Sequence, residues 1–380
     1  MNAAGGPAGA APECRWAIAG CGWVARDHFL PGLLATAAGG GAAPRLVAVT
    51  DTDPAAAVRL ALRAPGSRTA GDLTSLLAVH QPDAVYVATP NHAHRAAAAT
   101  AAAAGAAVLC EKPLAADLPD AERLVAACDR AGILAATAYD QRFHPAHRTA
   151  RDLVAAGELG TVTAVRITYG CWLPPTWSPD GGRYDNWRAD PARAGGGAAL
   201  DLAPHALDLV GVLLAGDDVV ELSALVQHRV HAYRVDDGAV LSGRTGAGVL
   251  VGLHVAYNTP DALPRRRLEI AGTLGQLTAV DTLGQDAGGR LWLTGAHPAH
   301  RVAVPFDTDV SPFARQVAEF SAAAVAVREG SPPRRAWPWP LRRDLALHRL
   351  LLEALSRTHR ASAPGAWPRP VPSFVEEGRR

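Results

Sequence analysis

Short, unbroken apolar runs separated by helix-length stretches fill the first 140 residues. The runs at 16–19, 46–50, 84–88, 108–110 and 134–138 are continuous rather than alternating, as strands buried on both faces of a parallel sheet must be. Between them lie Ala-, Leu- and Arg-rich segments long enough for crossover helices, and one of these, at 120–131, is stopped by Gly132. Strand–helix alternation of this kind predicts an α/β domain with a doubly wound parallel sheet.

Beyond residue 141 the pattern changes. Helical stretches at 147–156 and 206–215 are joined by strands at 162–169, 222–228, 249–257, 267–271, 276–280, 290–293 and 301–304. In these strands apolar and polar positions alternate, so one face is buried and the other wet, as in an antiparallel sheet. The apolar face requires a cover of helices or of another subunit. A Pro-rich segment at 331–340 precedes a helical run at 341–356. The pattern divides the chain into an amino-terminal domain at 14–140 and a second domain at 141–372. Tails at 1–13 and 373–380 are expected to be disordered.

A length of 380 residues suits two domains, and 49% hydrophobic with 19% charged residues suits two large cores. The net charge of +1 gives no bulk electrostatic case for nucleic acid or an anionic membrane, and neither partner is expected. No apolar run approaches the ~18–20 residues of a membrane span. Five cysteines are scattered without a C-x-x-C pair, so neither a disulfide framework nor a metal site is expected. The first twelve residues lack the basic and apolar regions of a secretory signal, and a reducing, cytoplasmic setting is the expectation.

The first strand runs into Gly20-Cys21-Gly22-Trp23-Val24-Ala25, a G-x-G-x-x-A sequence. There the first glycine permits a tight turn, the second admits a pyrophosphate, and the small alanine lets the next helix pack on the sheet. The second strand ends in Asp51-Thr52, where a carboxylate accepts both ribose hydroxyls and repels a 2′-phosphate, which predicts NAD as cofactor. Thr89, Pro90, Asn91 and His94 follow the next strand, at the sheet edge that faces the ligand crevice.

Glu111-Lys112-Pro113 occupies the same edge one strand later, and Lys112 is the only lysine in the chain. An ammonium there binds a substrate hydroxyl and stabilises the alkoxide that develops as hydride leaves. Gly195-Gly196-Gly197 precedes Asp201 and His205, a D-x-x-x-H spacing that puts both side chains on one helical face. The glycines are read as allowing close approach to a ligand. Lys112, Asp201 and His205 form the candidate acid–base cluster, with His205 as proton acceptor and Asp201 positioning the substrate or Lys112.

These motifs, in order, resemble the Gfo/Idh/MocA oxidoreductase family. The resemblance is carried by Ala19-Gly20-Cys21-Gly22, Val49–Pro54, Thr89–His94, Val108–Leu114, Arg142-Phe143-His144-Pro145, Trp187-Arg188, Gly195–Gly197 with Asp201 and His205, and Gly272–Leu277. It implies a Rossmann domain followed by an α/β domain with a large open, mostly antiparallel sheet that often forms an oligomer interface. It therefore implies a homo-oligomer, a dimer or tetramer. The implied activity is NAD(P)-dependent oxidoreduction of a sugar or cyclitol, with Lys112, Asp201 and His205 as catalytic residues. By the same comparison Arg142, Trp187 and Arg188 line the nicotinamide and substrate side. Which of Lys112 and His205 takes the proton stays open. The Trp- and Pro-rich segment 171–184, with Asp180, Asp185 and Asp190 nearby, suits a sugar face or a cationic amino sugar, and the composition suits aminoglycoside or other secondary-metabolite biosynthesis. The alternatives are an NAD-dependent glycoside hydrolase of the same superfamily and a non-catalytic NAD-binding regulator.

Overall fold

The computed structural model describes residues 12–37, 43–181, 185–295 and 300–361. Residues 1–11 of the first tail, all of the second tail and residues 39–42 of the glycine-rich loop before the second strand lie outside them.

Six parallel strands make the first sheet: β1 (Glu13–Ala19), β2 (Ala43–Thr50), β3 (Arg68–Thr69), β4 (Ala84–Val87), β5 (Ala107–Cys110) and β6 (Ala135–Thr137). Their order, β3-β2-β1-β4-β5-β6, reverses direction between β1 and β4, and the ligand crevice of such a sheet lies beyond the carboxyl ends of those strands. Every residue of β4 and β5 is buried, which is why the sequence shows no alternation there.

The helices interleaved with these strands among the described residues are α1 (Leu30–Ala37), α2 (Pro54–Leu62), α3 (Leu73–His80), α4 (His94–Ala103) and α5 (Leu118–Ala131). Local chemistry starts and stops them. Asp53 caps α2 by accepting the Ala55 N–H, Asp117 caps α5 from the Asp120 N–H, and Gly132 ends α5 at φ +65°.

The second domain holds α6 (Pro145–Ala155), β7 (Val162–Gly170), α7 (Pro191–Ala194), α8 (Ala198–Leu213), β8 (Val219–Gln227), β9 (Gly238–Thr245), β10 (Leu250–Ala256), β11 (Arg266–Gly272), β12 (Gly275–Val280), β13 (Arg290–Gly295) and β14 (Arg301–Ala303). The strands form one sheet, β14-β13-β12-β11-β7-β10-β9-β8, antiparallel except where β7 meets β10. Helix α8 lies on its apolar face with every residue buried save Asp201. The segment Pro191–Leu213 has the length and composition of a membrane span, but 89% of its apolar window is buried as the core of this domain. Three helices end the described chain: α9 (Pro312–Arg328), α10 (Pro333–Ala336) and α11 (Leu341–Ala361).

Among the elements that differ from the sequence reading, three bear on the core and the site. Helix α8 starts eight residues before the expected 206 and continues through Pro204. Strand β9, unassigned from sequence, begins at Gly238 and carries Gly243 against the Glu221 backbone, where a Cβ would lie 2.1 Å from a carbonyl oxygen. Helix α9, also unassigned, returns to the first sheet. Its Phe313, Val317 and Phe320 join a core with Trp16 and Phe29, and the Trp16 indole donates to Ser321 Oγ at 2.9 Å.

Candidate active site

A cleft of about 810 Å³ opens at the reversal of strand order. Gly20, Cys21, Gly22, Trp23, Asp51, Thr52, Thr89 and Pro90 all line it. Gly20 sits at φ +96°, and a Cβ there would lie 2.5 Å from the Ala88 carbonyl carbon, so the turn admits no other residue. Gly22 is different: a Cβ on it would meet nothing within 4 Å, so the backbone there is open to a ligand. Thr89 lines both this cleft and the cavity next to it, and its buried hydroxyl has no hydrogen-bond partner among the described residues. An open glycine backbone and an orphaned hydroxyl fit a dinucleotide.

Asp51 is held at the end of β2. One of its oxygens accepts the Cys21 N–H at 2.6 Å and the other the Asp53 N–H at 2.8 Å. Asp53 and Asp72 line the same end of the cleft.

Gly22, Trp23, Ala88, Thr89 and Trp187 continue from the cleft into a smaller cavity, which Val24, Asn91, His94, Glu111, Lys112, Arg188, Asp201 and His205 also line. The candidate cluster therefore converges, and its internal bonding is specific. Lys112 Nζ donates to Asp201 Oδ1 at 2.6 Å and to the Asp201 carbonyl at 3.1 Å. Tyr257 donates its hydroxyl to Asp201 Oδ2 at 2.7 Å, and Arg188 Nε stands 4.0 Å from that oxygen. Burial by itself would raise the Asp201 carboxyl, but Lys112 and Arg188 beside it hold it well below the usual carboxylate range.

His205 lies one turn along α8, and burial, reinforced by Lys112, lowers its imidazole to about 3, leaving it neutral near pH 7. Asp201 does not bond to it: both Asp201 oxygens are engaged elsewhere. The D-x-x-x-H spacing thus brings the two side chains to one cavity without pairing them.

Neighbouring groups hold this arrangement. Asn91 donates to the Ala194 carbonyl at 2.8 Å, tying the first domain to α7. The His94 ring lies 3.0 Å from the Pro113 carbonyl and 2.9 Å from that of Thr89, bracing the Lys112 loop. Burial lowers its imidazole to about 4. Burial also raises the Glu111 carboxyl, which accepts the Tyr86 hydroxyl at 2.5 Å. The Arg188 guanidinium lies over the Trp187 ring at 4.5 Å, and Trp23 meets Trp177 edge-on at 5.6 Å.

Two expectations are corrected. Arg142 does not line the cavity. It is fully buried between Asp208, which it contacts at 2.7 and 2.9 Å, and Asp344 at 2.7 Å, with its guanidinium over Tyr139 and Trp339. A guanidinium enclosed among carboxylates of α8 and α11 ties elements together and lines neither the cleft nor the cavity. The glycine triplet likewise serves packing. A Cβ on Gly195 would lie 2.0 Å from the Ala116 carbonyl oxygen, and one on Gly197 would lie 1.9 Å from that of Asp236. The Asp236 carboxylate then caps α8 by accepting the Gly197 and Ala199 N–H groups.

Sequence reasoning missed Asp140 and Tyr257. Asp140 lies in the turn just beyond the carboxyl end of β6, as Glu111 lies beyond that of β5, and a carboxyl at that edge of a parallel sheet was the available signal. Tyr257 follows β10, in an alternating stretch that looked like ordinary half-buried sheet.

Comparison with known proteins agrees with this geometry. The pattern of the oxidoreductase family with an NAD-binding Rossmann fold matches residues 14–139, and that of the GFO/IDH/MocA C-terminal domain matches residues 147–278. A 1,5-anhydro-D-fructose reductase from Ensifer adhaerens is 32% identical over 74% of this chain and 80% of its own length. A dTDP-3,4-didehydro-2,6-dideoxy-α-D-glucose 3-reductase from Streptomyces violaceoruber is 32% identical over 73% and 75%. Among solved structures, a levoglucosan dehydrogenase in complex with NADH and levoglucosan superposes with a TM-score of 0.77 at 20% identity, over 92% of this chain and 98% of the other. With both family patterns in tandem across a double-sheet fold, the chain belongs to the Gfo/Idh/MocA family of oxidoreductases.

Proposed function

We propose that this protein is an NAD-dependent dehydrogenase acting at a secondary alcohol of a sugar, cyclitol or amino sugar. The observation that carries the reading is the Lys112–Asp201 ion pair at 2.6 Å, in one cavity with His205 and continuous with the dinucleotide cleft. The names of the relatives, reductases of an anhydro-sugar and of a keto-sugar nucleotide, support the substrate class.

Residue roles follow from the bonding. Asp201 anchors the Lys112 ammonium, which retains donor capacity for a substrate oxygen and favours negative charge there. His205, neutral near pH 7, accepts the hydroxyl proton. The bound dinucleotide supplies the hydride acceptor. Trp23 and Trp187 offer apolar faces to a sugar ring. NAD rather than NADP is favoured by Asp51, Asp53 and Asp72, three carboxylates at the end of the cleft where a 2′-phosphate would bring further negative charge. Asp180 and Asp185 at the cleft are paired with Arg26 and Arg193, and a cationic amino sugar, as would occur in aminoglycoside or other secondary-metabolite biosynthesis, would take the place of those cations. The outward face of the second sheet, with exposed Leu225, Val240 and Leu250, supports a homo-oligomer, and five free thiols suit a cytoplasmic setting.

A panel of sugars, cyclitols and aminoglycosides assayed for NADH absorbance tests the reading. Net NADH formation with one class is expected. Lys112→Ala should retain NAD binding while turnover falls by about 10²–10⁴. Near-normal turnover in that variant would remove Lys112 from the chemistry, and a panel without NADH formation would remove the dehydrogenase.

A further inference from the structure

We propose that Asp140 is the positioning residue of this site, holding the His205 imidazole with its proton on Nδ1 so that Nε2 is free to take the substrate's hydroxyl proton. The inference rests on the reading of His205 as proton acceptor and adds the group that makes it competent. Only the hydroxyl O–H breaks and only Nε2–H forms in this step; the Nδ1 proton stays shared with Asp140.

The geometry carries it. Asp140 Oδ1 stands 3.4 Å from His205 Nδ1, with both side chains at most 5% exposed. That nitrogen is buried and makes no hydrogen bond among the described residues. A separation slightly beyond hydrogen-bonding range is common in ligand-free sites and closes when substrate binds. Asp140 is itself fixed: its Oδ2 accepts Gln141 Nε2 at 2.9 Å, and the same amide donates to the Gly284 carbonyl at 2.7 Å. The carboxylates of α8 are committed elsewhere, Asp201 to Lys112 and Tyr257, Asp208 to Arg142 and Arg343. Asp140 is thus the carboxyl within reach of the imidazole, and a carboxylate behind a histidine fixes its tautomer and stabilises the imidazolium formed when it takes a proton.

The surroundings set a pH dependence. Facing Asp140 are Glu111 and Lys112 from the loop after β5, Tyr86 from β4, Tyr169 from β7 and His205 from α8. Burial, with Glu111 adding and Lys112 opposing, raises the Asp140 carboxyl to about 7. The imidazole is already neutral in that range, so the pair loses its proton as a unit near neutrality and gains the working tautomer as Asp140 ionises.

The test compares full-length wild type, Asp140→Asn and His205→Asn. Turnover is followed against pH with NAD and the panel compound giving most NADH. NADH binding is followed by fluorescence, and the His205 tautomer by ¹⁵N-histidine NMR, its resonance assigned by absence in His205→Asn. Asp140→Asn should lower kcat by about 10² or more, with KM and NADH binding unchanged. It should remove the rise in wild-type activity through about pH 7 and move the His205 proton to Nε2. Wild-type turnover and an intact acidic limb in Asp140→Asn would overturn the assignment of Asp140 alone. Normal turnover in His205→Asn would overturn the reading beneath it. Should Asp140→Asn not fold, the wild-type NMR still decides: a proton on His205 Nε2 at alkaline pH excludes the proposed arrangement.

Discussion

Asp51 shows how much a single carboxylate is asked to do. It bonds the backbone of the glycine turn and of its own strand end, which fixes its position, and it still lines the cleft. Hydrogen bonds to a charged acceptor are worth about 1.5–3 kcal/mol each, so Asp51→Ala should reduce the ratio of kcat/KM with NAD to that with NADP by about tenfold or more. An unaltered ratio would remove Asp51 from cofactor selection. Residues of this kind were legible because their positions follow from the strand–turn–helix rule. Lys112 was legible through rarity, as the only lysine of the chain. Asp140 was not, because its partner is 65 residues away on α8 and only the folded cavity joins them. Arg142 differs because only the family resemblance placed it beside the nicotinamide, and the fold brings Asp344, 202 residues on, against it.

Arg142 instead couples elements. With Arg343 it forms a buried network joining the turn after β6 to α8, α11 and Asp218 ahead of β8. Replacing a buried pair by apolar groups is often neutral, but removing one partner strands the opposite charge at a cost of about 3–5 kcal/mol. Arg142→Ala should therefore lower unfolding free energy by roughly that amount in a urea titration, and Arg142→Lys should recover little, since an ammonium cannot reproduce the two-oxygen fork to Asp208. A fully stable Arg142→Ala would mean that the network contributes nothing net. The elements it joins differ in legibility. The inner strands of the first sheet declare themselves as unbroken apolar runs, whereas β9 is diluted by Gly238 and by Gly243, which the Glu221 backbone requires. Helix α9 is rich in small residues, and its docking on Trp16 depends on contacts about 300 residues apart in sequence. No local window contains that information.

At the scale of the whole molecule, both domains bury histidines within their packing. His94, His144, His147, His205 and His348 are all buried, and burial lowers each of their imidazoles to about 3–4 from an ordinary value of 6.5. A group whose folded-state pKa is lowered leaves stability intact above its unfolded value and withdraws it as pH falls toward the folded one. Each histidine therefore removes up to about 1.4 kcal/mol per pH unit between about pH 6.5 and 4. The opposite sign applies to Asp140, Glu111, Asp236 and Asp344, whose carboxyls burial raises and whose protonation favours the folded state as pH falls, but the five imidazoles act together with Asp201 and Asp208, whose carboxyls neighbouring cations hold low, and outweigh them. Thermal unfolding at constant ionic strength should show a broad maximum in Tm near neutral pH and a steep, cooperative fall below about pH 6. A Tm that held level to about pH 5 would mean that these imidazoles take up protons without leaving the fold, and hence that their surroundings are wetter than the packing indicates.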